Sequence, residues 1–438
     1  MAKLAERIQC IIQQGRDDRV NVYPVTSSLN PNPNPPSVQQ SKAATPVYSP
    51  PYNWICHLNI DDTYGATGFK INLPHVNNYT VVVTAAHNLW IDGSYANKVK
   101  LKYPGKAEVV EAIAKNLYVP PEYKNPNDTP NYDYGLIFYL DHESCNDGFG
   151  WTTEIKDEEL LGRIVTICGY PADKQNRSMW ITGTDITKVH PLRIEYLTDT
   201  MPGQSGSPIY TWYHGCLTVV GVHTYGDAEY NFGRRFGLQM ISRFVKKMNC
   251  LKALQSVAFP NVYLRCYKRK ESFDGEKINC QYLEPGDLGK FYIYPVYMPP
   301  SSAHADILPK FVIESANTED LFLRLEIEGM TQNDKYVGGG KVYSSVCEDS
   351  KVNETEMFYL RKETREDAVY SFISVAYPTC RIRVDGRNVR RNEPNGSGKV
   401  NCQYYALNKS TGPYFEGLKK TYKSAEDEER IRIQMLIK

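Results

Sequence analysis

The sequence lacks the features that would place the chain in a membrane or on a nucleic acid. No apolar run approaches the ~20 residues that span a bilayer. The N-terminus, Met1-Ala-Lys-Leu-Ala-Glu-Arg-Ile8, carries charges where a signal peptide needs an unbroken apolar core. The formal net charge is only +1, so no global charge excess points to nucleic acid or to a membrane surface. We therefore expect neither a membrane nor a nucleic-acid partner.

The eleven cysteines lack the patterns of a disulfide framework and of a metal site. Their number is odd, none forms a C-x-x-C pair, and no Cys/His cluster has metal-ligand spacing. Most of them lie in apolar, strand-like runs, where free Cys behaves as a small hydrophobe. We expect reduced thiols, a cytoplasmic location with unconventional release left open, and neither metal nor cofactor.

The N-terminal fifty residues differ in composition from the rest of the 438-residue chain, which is long enough for two or three domains. Within residues 1–20, one face of a short amphipathic helix is predicted from Leu4, Ile8, Ile11 and Ile12. Residues 21–51 are rich in proline and predict a semi-extended linker. A cleavable pro-segment is the alternative, and composition does not separate the two.

The two remaining regions both have the texture of β structure, so the predicted fold class is all-β. Residues 52–250 contain short strand-like runs between turns, typical of a sandwich or barrel, and end in a helical stretch, Met240–Met248. The runs are Trp54–Ile60, Gly68–Leu73, Thr80–Ala85, Tyr134–Leu140, Ile164–Gly169 and Leu217–His223.

Residues 255–438 contain an internal repeat of about 60 residues. Lys277-Ile-Asn-Cys-Gln-Tyr282 returns as Lys399-Val-Asn-Cys-Gln-Tyr404, and Lys341-Val-Tyr-Ser-Ser-Val346 lies between them. Each unit carries about four strand-like runs, which predicts twelve strands in a pseudo-threefold β-trefoil. The runs are Val262–Tyr267, Lys277–Tyr282, Phe291–Val296 and Phe311–Glu314, then Leu321–Ile327, Lys341–Val346, Met357–Leu360 and Val369–Val375, then Cys380–Val384, Lys399–Tyr405, Tyr414–Gly417 and Ile431–Ile437. A solenoid or a generic β-sandwich is the alternative, and three copies without a fourth favour closure over stacking.

Ser205 lies between glycines in Thr200-Met-Pro-Gly-Gln-Ser-Gly-Ser-Pro-Ile-Tyr210. Gly203 and Gly206 permit a tight turn that brings backbone N–H groups close to whatever binds at Ser205. A nucleophilic hydroxyl beside free N–H groups is half of an acyl-transfer site, and the other half is a base with a group that orients it. Taken alone, the stretch is equally well read as a Gly/Ser-rich turn before a strand.

His87 and Asp133 are the candidates for that other half. His87 follows an apolar strand in Thr84-Ala-Ala-His87, and Asp133 precedes one in Asp133-Tyr-Gly-Leu-Ile137. Either side chain alone is compatible with a structural role. The order His, Asp, Ser, with gaps of 46 and 72 residues, and the three motifs together resemble the chymotrypsin-like serine proteases over residues 52–250. The resemblance implies two β-barrels, a catalytic triad of His87, Asp133 and Ser205, and an oxyanion hole formed by the N–H groups of Gly203 and Ser205.

Within that superfamily the sequence is most similar to the glutamyl endopeptidases. The similar motifs are Asp199-Thr-Met-Pro-Gly-Gln-Ser-Gly-Ser-Pro208, Gly221-Val-His-Thr224 and Asn231-Phe-Gly233. By matching position, the resemblance implies that Thr200 and His223 bind the carboxylate of the P1 residue, the residue whose carbonyl is attacked. A hydroxyl and an imidazole can both donate to a carboxylate, and such charge-assisted hydrogen bonds are strong. The predicted function is a serine endopeptidase that cleaves protein or peptide substrates after Glu or Asp.

Two alternatives remain open for the function. Asp199 lies six residues before Ser205, where trypsin-like enzymes place the carboxylate that attracts Lys or Arg.

The residue before Ser205 is Gln204, whereas many chymotrypsin-like proteases have an Asp there that pairs with an inserted N-terminus. Activation by that pairing is therefore not available to this sequence. The glutamyl endopeptidase resemblance implies instead that the mature N-terminus helps to bind the substrate carboxylate. Cleavage within residues 24–51 is our hypothesis for how such an end is created, and only the linker composition motivates it.

The second alternative concerns the C-terminal region, which resembles the trefoils of fibroblast growth factors and interleukin-type cytokines. The stretches concerned are Gly340–Ser345, Glu356–Arg361, Tyr370–Ser374 and Arg381–Gly386. This resemblance implies a module that binds a substrate or a protein partner. In the alternative function, the trefoil is the active signalling module and the protease-like region is a scaffold, since fold alone does not fix function.

Overall fold

The computed structural model describes most of the chain from Ser49 onward. The described residues are 23–24, 49–76, 78–125, 129–141, 146–174, 178–198, 200–226, 230–267, 277–282, 286–303, 307–327, 340–347, 351–363, 368–386, 389, 398–404 and 434–437. The predicted N-terminal helix and most of the predicted linker lie outside them. The chain divides into two compact units. The first is Met1–Met240 with Tyr297–Ile307, and the second is Ile241–Val296 with Leu308–Lys438. No helix among the described residues is long and apolar enough to cross a membrane.

Strands are the predominant regular elements of the first unit, which confirms the all-β prediction for this region. Its strands are β1 (Tyr23–Pro24), β2 (Ile55–Ile60), β3 (Tyr64–Ile71), β4 (Tyr79–Thr84), β5 (Trp90–Ile91), β6 (Ser94–Tyr95), β7 (Lys98–Lys102), β8 (Val109–Ile113), β9 (Leu117–Tyr118), β10 (Gly135–Leu140), β11 (Gly150–Thr152), β12 (Ile164–Gly169), β13 (Trp180–Val189), β14 (Arg193–Tyr196), β15 (Pro208–Tyr213), β16 (Cys216–Gly226) and β17 (Asn231–Arg235). Its helical turns are Tyr52–Trp54, Ala86–Asn88, Ala114–Asn116, Pro121–Lys124, Thr129–Tyr132 and α1 (Asp157–Leu160), and α2 (Leu238–Lys247) follows β17.

Seven of these strands form an antiparallel sheet in the order β8-β7-β2-β3-β4-β10-β9. Strand β4, Tyr-Thr-Val-Val-Val-Thr, is rich in β-branched residues, which pack well on a pleated surface. The sheet curls around an apolar core that includes Leu58, Val82, Val99, Leu101 and Ile137. Burial of this core stabilises the position of β4 and β10, whose ends carry the candidate site.

Six further strands close on themselves. The pairings run β12–β13–β14–β17–β16–β15 and return to β12. A closed ring leaves no unpaired sheet edge. Its interior contains Val165, Ile167, Ile194, Ile209 and Val220. The first unit therefore contains two barrel-like sheets, and β1, from the predicted linker, pairs with β13 through Tyr23 and Pro24.

The second unit contains twelve described strands, β18 to β29. They are β18 (Lys252–Ser256), β19 (Val262–Tyr267), β20 (Lys277–Tyr282), β21 (Lys290–Met298), β22 (Lys310–Ser315), β23 (Leu321–Glu326), β24 (Gly340–Val346), β25 (Phe358–Lys362), β26 (Val369–Ser374), β27 (Cys380–Asp385), β28 (Gly398–Tyr404) and β29 (Gln434–Ile437), with helical turns at Asp287–Gly289 and Glu354–Glu356. Strand β18 was not among the strands predicted for the repeat, and the predicted strand Tyr414–Gly417 lies outside the described residues.

The three copies of the repeat come together in the second unit. Strands β20, β24 and β28 are the second strands of three hairpins, and each of them pairs with the other two. Six other strands pair as β22–β25–β26–β29–β18–β21, and the Ala316 N–H donates to the Lys290 carbonyl between β22 and β21. The core includes Leu264, Leu323, Phe358, Phe372 and Ile382.

The sequence of this unit contains a second repeat signal that was not recognised before the structure was known. Ser256, Ser315 and Ser374 recur at equal intervals of 59 residues. Each hydroxyl accepts a backbone N–H two or three residues further on, from Phe259, Asn317 and Tyr377. Such serine turns reverse the chain before the next strand. Their regular spacing is further evidence of three equivalent units.

Candidate active site

His87 and Asp133 are brought together by the pairing of β4 with β10. Thr84, the last residue of β4, lies opposite Gly135, the first residue of β10. The helical turn Ala86–Asn88 then directs His87 toward the residue that precedes β10 by two positions. Asp133 accepts a hydrogen bond from the His87 backbone N–H through Oδ1 at 3.1 Å. Its Oδ2 lies 2.8 Å from His87 Nδ1.

The carboxylate of Asp133 determines which imidazole nitrogen of His87 is protonated. An ionised carboxylate only accepts hydrogen bonds, so His87 Nδ1 carries the proton and Nε2 keeps its lone pair. Burial by itself lowers the pKa of His87, but the charge of Asp133 and its hydrogen bond outweigh burial, and the net pKa is raised above 6.5. His87 can therefore accept a proton at Nε2 and hold it.

The loop that carries Ser205 has the geometry that its glycines permit. Gly203 has a φ of +95° and Gly206 a φ of +87°, both in the left-handed region that favours glycine. A Cβ on Gly206 would lie 2.1 Å from the Thr67 carbonyl oxygen and 2.2 Å from Thr84 Oγ1. The close approach of Gly206 to both residues places Ser205 beside the segment that carries His87.

Two amides in this loop are free to bind an anion. Within the described part of the chain, the N–H groups of Gly203 and Ser205 make no hydrogen bond, whereas the N–H groups of Gln204 and Gly206 donate to the carbonyls of Met201 and His223. Unpaired, fixed backbone donors next to a nucleophile can stabilise the oxyanion of an acyl-transfer intermediate. The resemblance to chymotrypsin-like proteases implies the same two N–H groups as oxyanion donors, and that role stays a prediction.

Ser205 is held in place by hydrogen bonds to its backbone carbonyl. Its hydroxyl is bonded to a backbone carbonyl and not to His87. The Ser205 carbonyl accepts hydrogen bonds from the Thr67 N–H at 3.0 Å and from Asn88 Nδ2 at 3.1 Å. The hydroxyl donates to the Thr224 carbonyl at 3.1 Å. The hydrogen bond from Ser205 to His87 is thus not formed in the structure, and it would require rotation of the serine side chain.

Thr67 links the nucleophile loop to both barrel-like sheets, and sequence reasoning missed it. Besides its N–H bond to Ser205, its Oγ1 donates to the Gly203 carbonyl at 2.8 Å and accepts the Tyr170 N–H at 3.0 Å. Its own carbonyl accepts from Thr84 Oγ1 at 2.7 Å. The side chain is fully buried. In the sequence Thr67 is one threonine in a strand, and no local signal marks it.

We expect Thr67→Val to lower kcat by about 10- to 100-fold and to change KM by less than about 3-fold. Valine preserves the volume, but the Gly203 carbonyl loses its donor and the oxyanion loop is held less firmly. Steady-state kinetics on one peptide substrate would measure both constants. Thr80→Val, a buried threonine of β4 outside this network, is the control. Equal losses of kcat in the two variants would refute a positioning role for Thr67.

Of the predicted P1-binding residues, His223 lies in β16, and Thr200 lies in the loop before Ser205 and contacts the adjoining strand β17. His223 in β16 faces Gly233 of β17, and its Nδ1 lies 2.6 Å from the hydroxyl of Tyr196. The hydroxyl of Thr200 donates to Asn231 Oδ1 at the start of β17. Thr200 therefore has its proton engaged, which the sequence did not reveal. Asp199 lies outside the described residues.

No group of three or more His, Cys, Asp or Glu side chains that could hold a metal ion exists among the described residues.

The residues that sequence reasoning missed at this site are Thr67, Asn88 and Tyr196. Asn88 directly follows the histidine motif in the sequence, while Tyr196 carries no motif at all. All three act through contacts between residues distant in sequence.

Comparisons with known proteins match part of the chain to proteases. No family model matches the chain. The "Extracellular metalloprotease" of Bacillus subtilis is 29% identical over 186 residues, which is 41% of this chain and 57% of that protein. The glutamyl endopeptidase of Bacillus licheniformis is 28% identical over 217 residues, 45% of this chain and 64% of that protein. The glutamyl endopeptidase of Staphylococcus epidermidis is 26% identical over 136 residues, 27% of this chain and 47% of that protein.

Solved structures are also similar to part of the chain. A Glu endopeptidase in complex with MPD matches with a TM-score of 0.40 and 22% identity, covering 48% of this chain and 96% of that one. The protease Anisep from Arthrobacter nicotinovorans matches with a TM-score of 0.38 and 18% identity, covering 46% and 98%. The chain spans less than two thirds of the curated relatives it matches. These sequence relatives support the presence of a serine protease domain in this chain.

Proposed function

We propose that this chain is a serine endopeptidase that cleaves peptide bonds after glutamate, or after aspartate. The observation that carries the proposal is the convergence at one place of three elements. They are the His87–Asp133 hydrogen bond at 2.8 Å, the Ser205 hydroxyl, and the two unpaired N–H groups of Gly203 and Ser205. Base, nucleophile and oxyanion donors are the parts that acyl transfer needs.

In the proposed mechanism Ser205 Oγ leaves the Thr224 carbonyl and attacks the carbonyl carbon of the P1 residue. His87 Nε2 takes the serine proton and later gives it to the leaving amine. Asp133 keeps His87 in the required tautomer and stabilises the imidazolium. The N–H groups of Gly203 and Ser205 hold the oxyanion, and each such donor contributes on the order of 3 kcal/mol to transition-state stabilisation. Water then releases the acyl group by the same steps.

The preference for an acidic P1 side chain rests on Thr200 and His223. His223 is only 2% exposed, so a carboxylate that reaches it is largely desolvated and its hydrogen bonds are strong. Thr200 would exchange Asn231 for the substrate carboxylate as its acceptor. The glutamyl endopeptidase relatives favour the same preference, although the chain covers only 64% of the Bacillus licheniformis enzyme. The rival preference for Lys or Arg rests on Asp199 alone.

A panel of fluorogenic peptides that differ only at P1 tests the specificity. We expect kcat/KM for P1 Glu to exceed that for Gln, Lys and Arg by at least about 10-fold, because a site built around hydrogen bonds to one group rejects analogues that cannot make them. His223→Leu is expected to remove the preference for Glu over Gln. His190→Leu, a partly exposed histidine paired with Glu195, is the control. Preferred cleavage after Arg or Lys would reject the glutamate assignment.

We also propose that residues 255–438 form a β-trefoil that binds a substrate or a protein partner, with residues 21–51 as a linker or pro-segment. The mutual pairing of β20, β24 and β28 supports threefold symmetry. The proposed location is cytoplasmic. In support, the described cysteines at 56, 168, 216, 250, 266, 347 and 380 are free and buried.

A further inference from the structure

Tyr196 makes a short hydrogen bond with His223 that the proposed mechanism does not use. Its hydroxyl lies 2.6 Å from His223 Nδ1, inside the closed six-stranded sheet. Tyr196 is fully buried and His223 is 2% exposed, so water does not compete for this hydrogen bond. The chemical consequence of the contact depends on which of the two groups donates the proton.

The neighbouring hydrogen bonds decide the direction of donation. A phenol has one proton, and the Tyr196 hydroxyl has two acceptors within reach, His223 Nδ1 at 2.6 Å and the Phe232 carbonyl at 3.3 Å. The Phe232 carbonyl already accepts a hydrogen bond from Thr224 Oγ1 at 3.0 Å. The contact with His223 is also much the shorter. We therefore assign the phenol proton to the shorter contact, with Nδ1. In the reverse arrangement Nδ1–H would donate to the Tyr196 oxygen, and the phenol would donate to the Phe232 carbonyl at the longer distance of 3.3 Å.

The protonation states of both groups agree with this direction. Burial raises the pKa of Tyr196 well above 10, so the phenol keeps its proton. Burial, and to a smaller extent the positive charge of His87, lowers the pKa of His223 to about 3, although Asp133 opposes this. The imidazole is therefore neutral near pH 7. A neutral imidazole that accepts at Nδ1 carries its proton on Nε2.

We propose that Tyr196 is a specificity-determining positioning residue, which holds His223 in the tautomer whose Nε2–H donates to an acceptor oxygen of the P1 side chain. This inference rests on the proposed function and deepens it. In the other tautomer Nε2 would present a lone pair, which repels a carboxylate and accepts from the amide NH₂ of a P1 glutamine. Glutamine can pair with either tautomer, through its amide oxygen or its NH₂ group, whereas glutamate pairs only with the Nε2–H tautomer. The contact with Tyr196 therefore raises the preference for glutamate relative to a histidine that samples both tautomers.

The test compares Tyr196→Phe with Tyr210→Phe on peptides with P1 Glu and P1 Gln. Tyr210 is a matched control because it is fully buried in β15 of the same sheet and its hydroxyl has no hydrogen-bond partner among the described residues. We expect Tyr196→Phe to reduce the Glu-to-Gln ratio of kcat/KM by about 10-fold, the scale of one hydrogen bond to a charged group. Tyr210→Phe should leave the ratio unchanged. An unchanged ratio in Tyr196→Phe, or an equal fall in both variants, overturns the proposal.

A second measurement is independent of activity. ¹⁵N NMR of the histidine-labelled wild-type chain, with His223 identified by its loss in His223→Gln, reports the tautomer directly. We expect Nε2 to be protonated and Nδ1 to be unprotonated, and the two resonances should move toward each other in Tyr196→Phe. A protonated Nδ1 in the wild type overturns the proposal. If the wild type cleaves after Lys or Arg instead of Glu, the proposed specificity fails while this measurement still decides the tautomer.

Discussion

Ser205→Ala is expected to lower kcat by about 10⁴- to 10⁶-fold while the chain keeps its fold. The side chain makes a single described hydrogen bond, to the Thr224 carbonyl. The loop is held instead through the Ser205 carbonyl, which Thr67 and Asn88 contact and which alanine retains. Turnover of a P1 Glu peptide and the thermal unfolding midpoint would measure the two effects separately.

Ser207→Ala is the matched control for this experiment. Ser207 lies two residues further on, is fully buried, and its hydroxyl has no hydrogen-bond partner among the described residues. We expect it to retain activity. Labelling with a fluorophosphonate should modify the wild type and Ser207→Ala but not Ser205→Ala. If Ser205→Ala turned over substrate at the wild-type rate, the nucleophile would have to be another residue and the proposed mechanism would be wrong.

Asp133→Asn is expected to lower kcat by about 10⁴-fold, the scale seen when a triad carboxylate becomes an amide. Asparagine has the size of aspartate, but its NH₂ group can donate to His87 Nδ1. The imidazole would then carry its proton on Nε2, where it cannot accept the serine proton. Asp133 also anchors the His87 backbone N–H at 3.1 Å, so part of the loss reflects misplacement of the ring.

The pH profile tests whether the charge of Asp133 acts on His87. In the wild type Asp133 raises the pKa of His87 above 6.5, so kcat/KM should rise with pH to a midpoint above 6.5 as His87 loses its proton. Removing the carboxylate charge should move this midpoint to lower pH. Asp141→Asn, a carboxylate at the other end of β10 that accepts from Thr80, should leave the midpoint in place. A wild-type midpoint that Asp133→Asn does not move would show that the two side chains are not coupled.

Much of the candidate site was predictable from the sequence because it lies in short local motifs. The glycines around Ser205 indicated the tight turn and the free amides, since positive φ angles are cheap only for glycine. The apolar run of β4 and that of β10 indicated where His87 and Asp133 would emerge. The repeat in the second unit was visible because three chain segments share similar residues. Strand β18 and the serine turns were missed because they carry no similar hexapeptide.

The amino-acid sequence by itself determined the strand-rich character, the residue types of the site and their order along the chain. Only the tertiary structure decided which of these side chains meet, because long-range strand pairing brings together residues more than 40 positions apart, as with His87 and Asp133. Thr67 and Tyr196 are marked by no motif, since a buried threonine or tyrosine has the same local signature wherever a strand places it. Tertiary structure also decided the donors and acceptors, because a hydroxyl has one proton and its direction depends on all its neighbours.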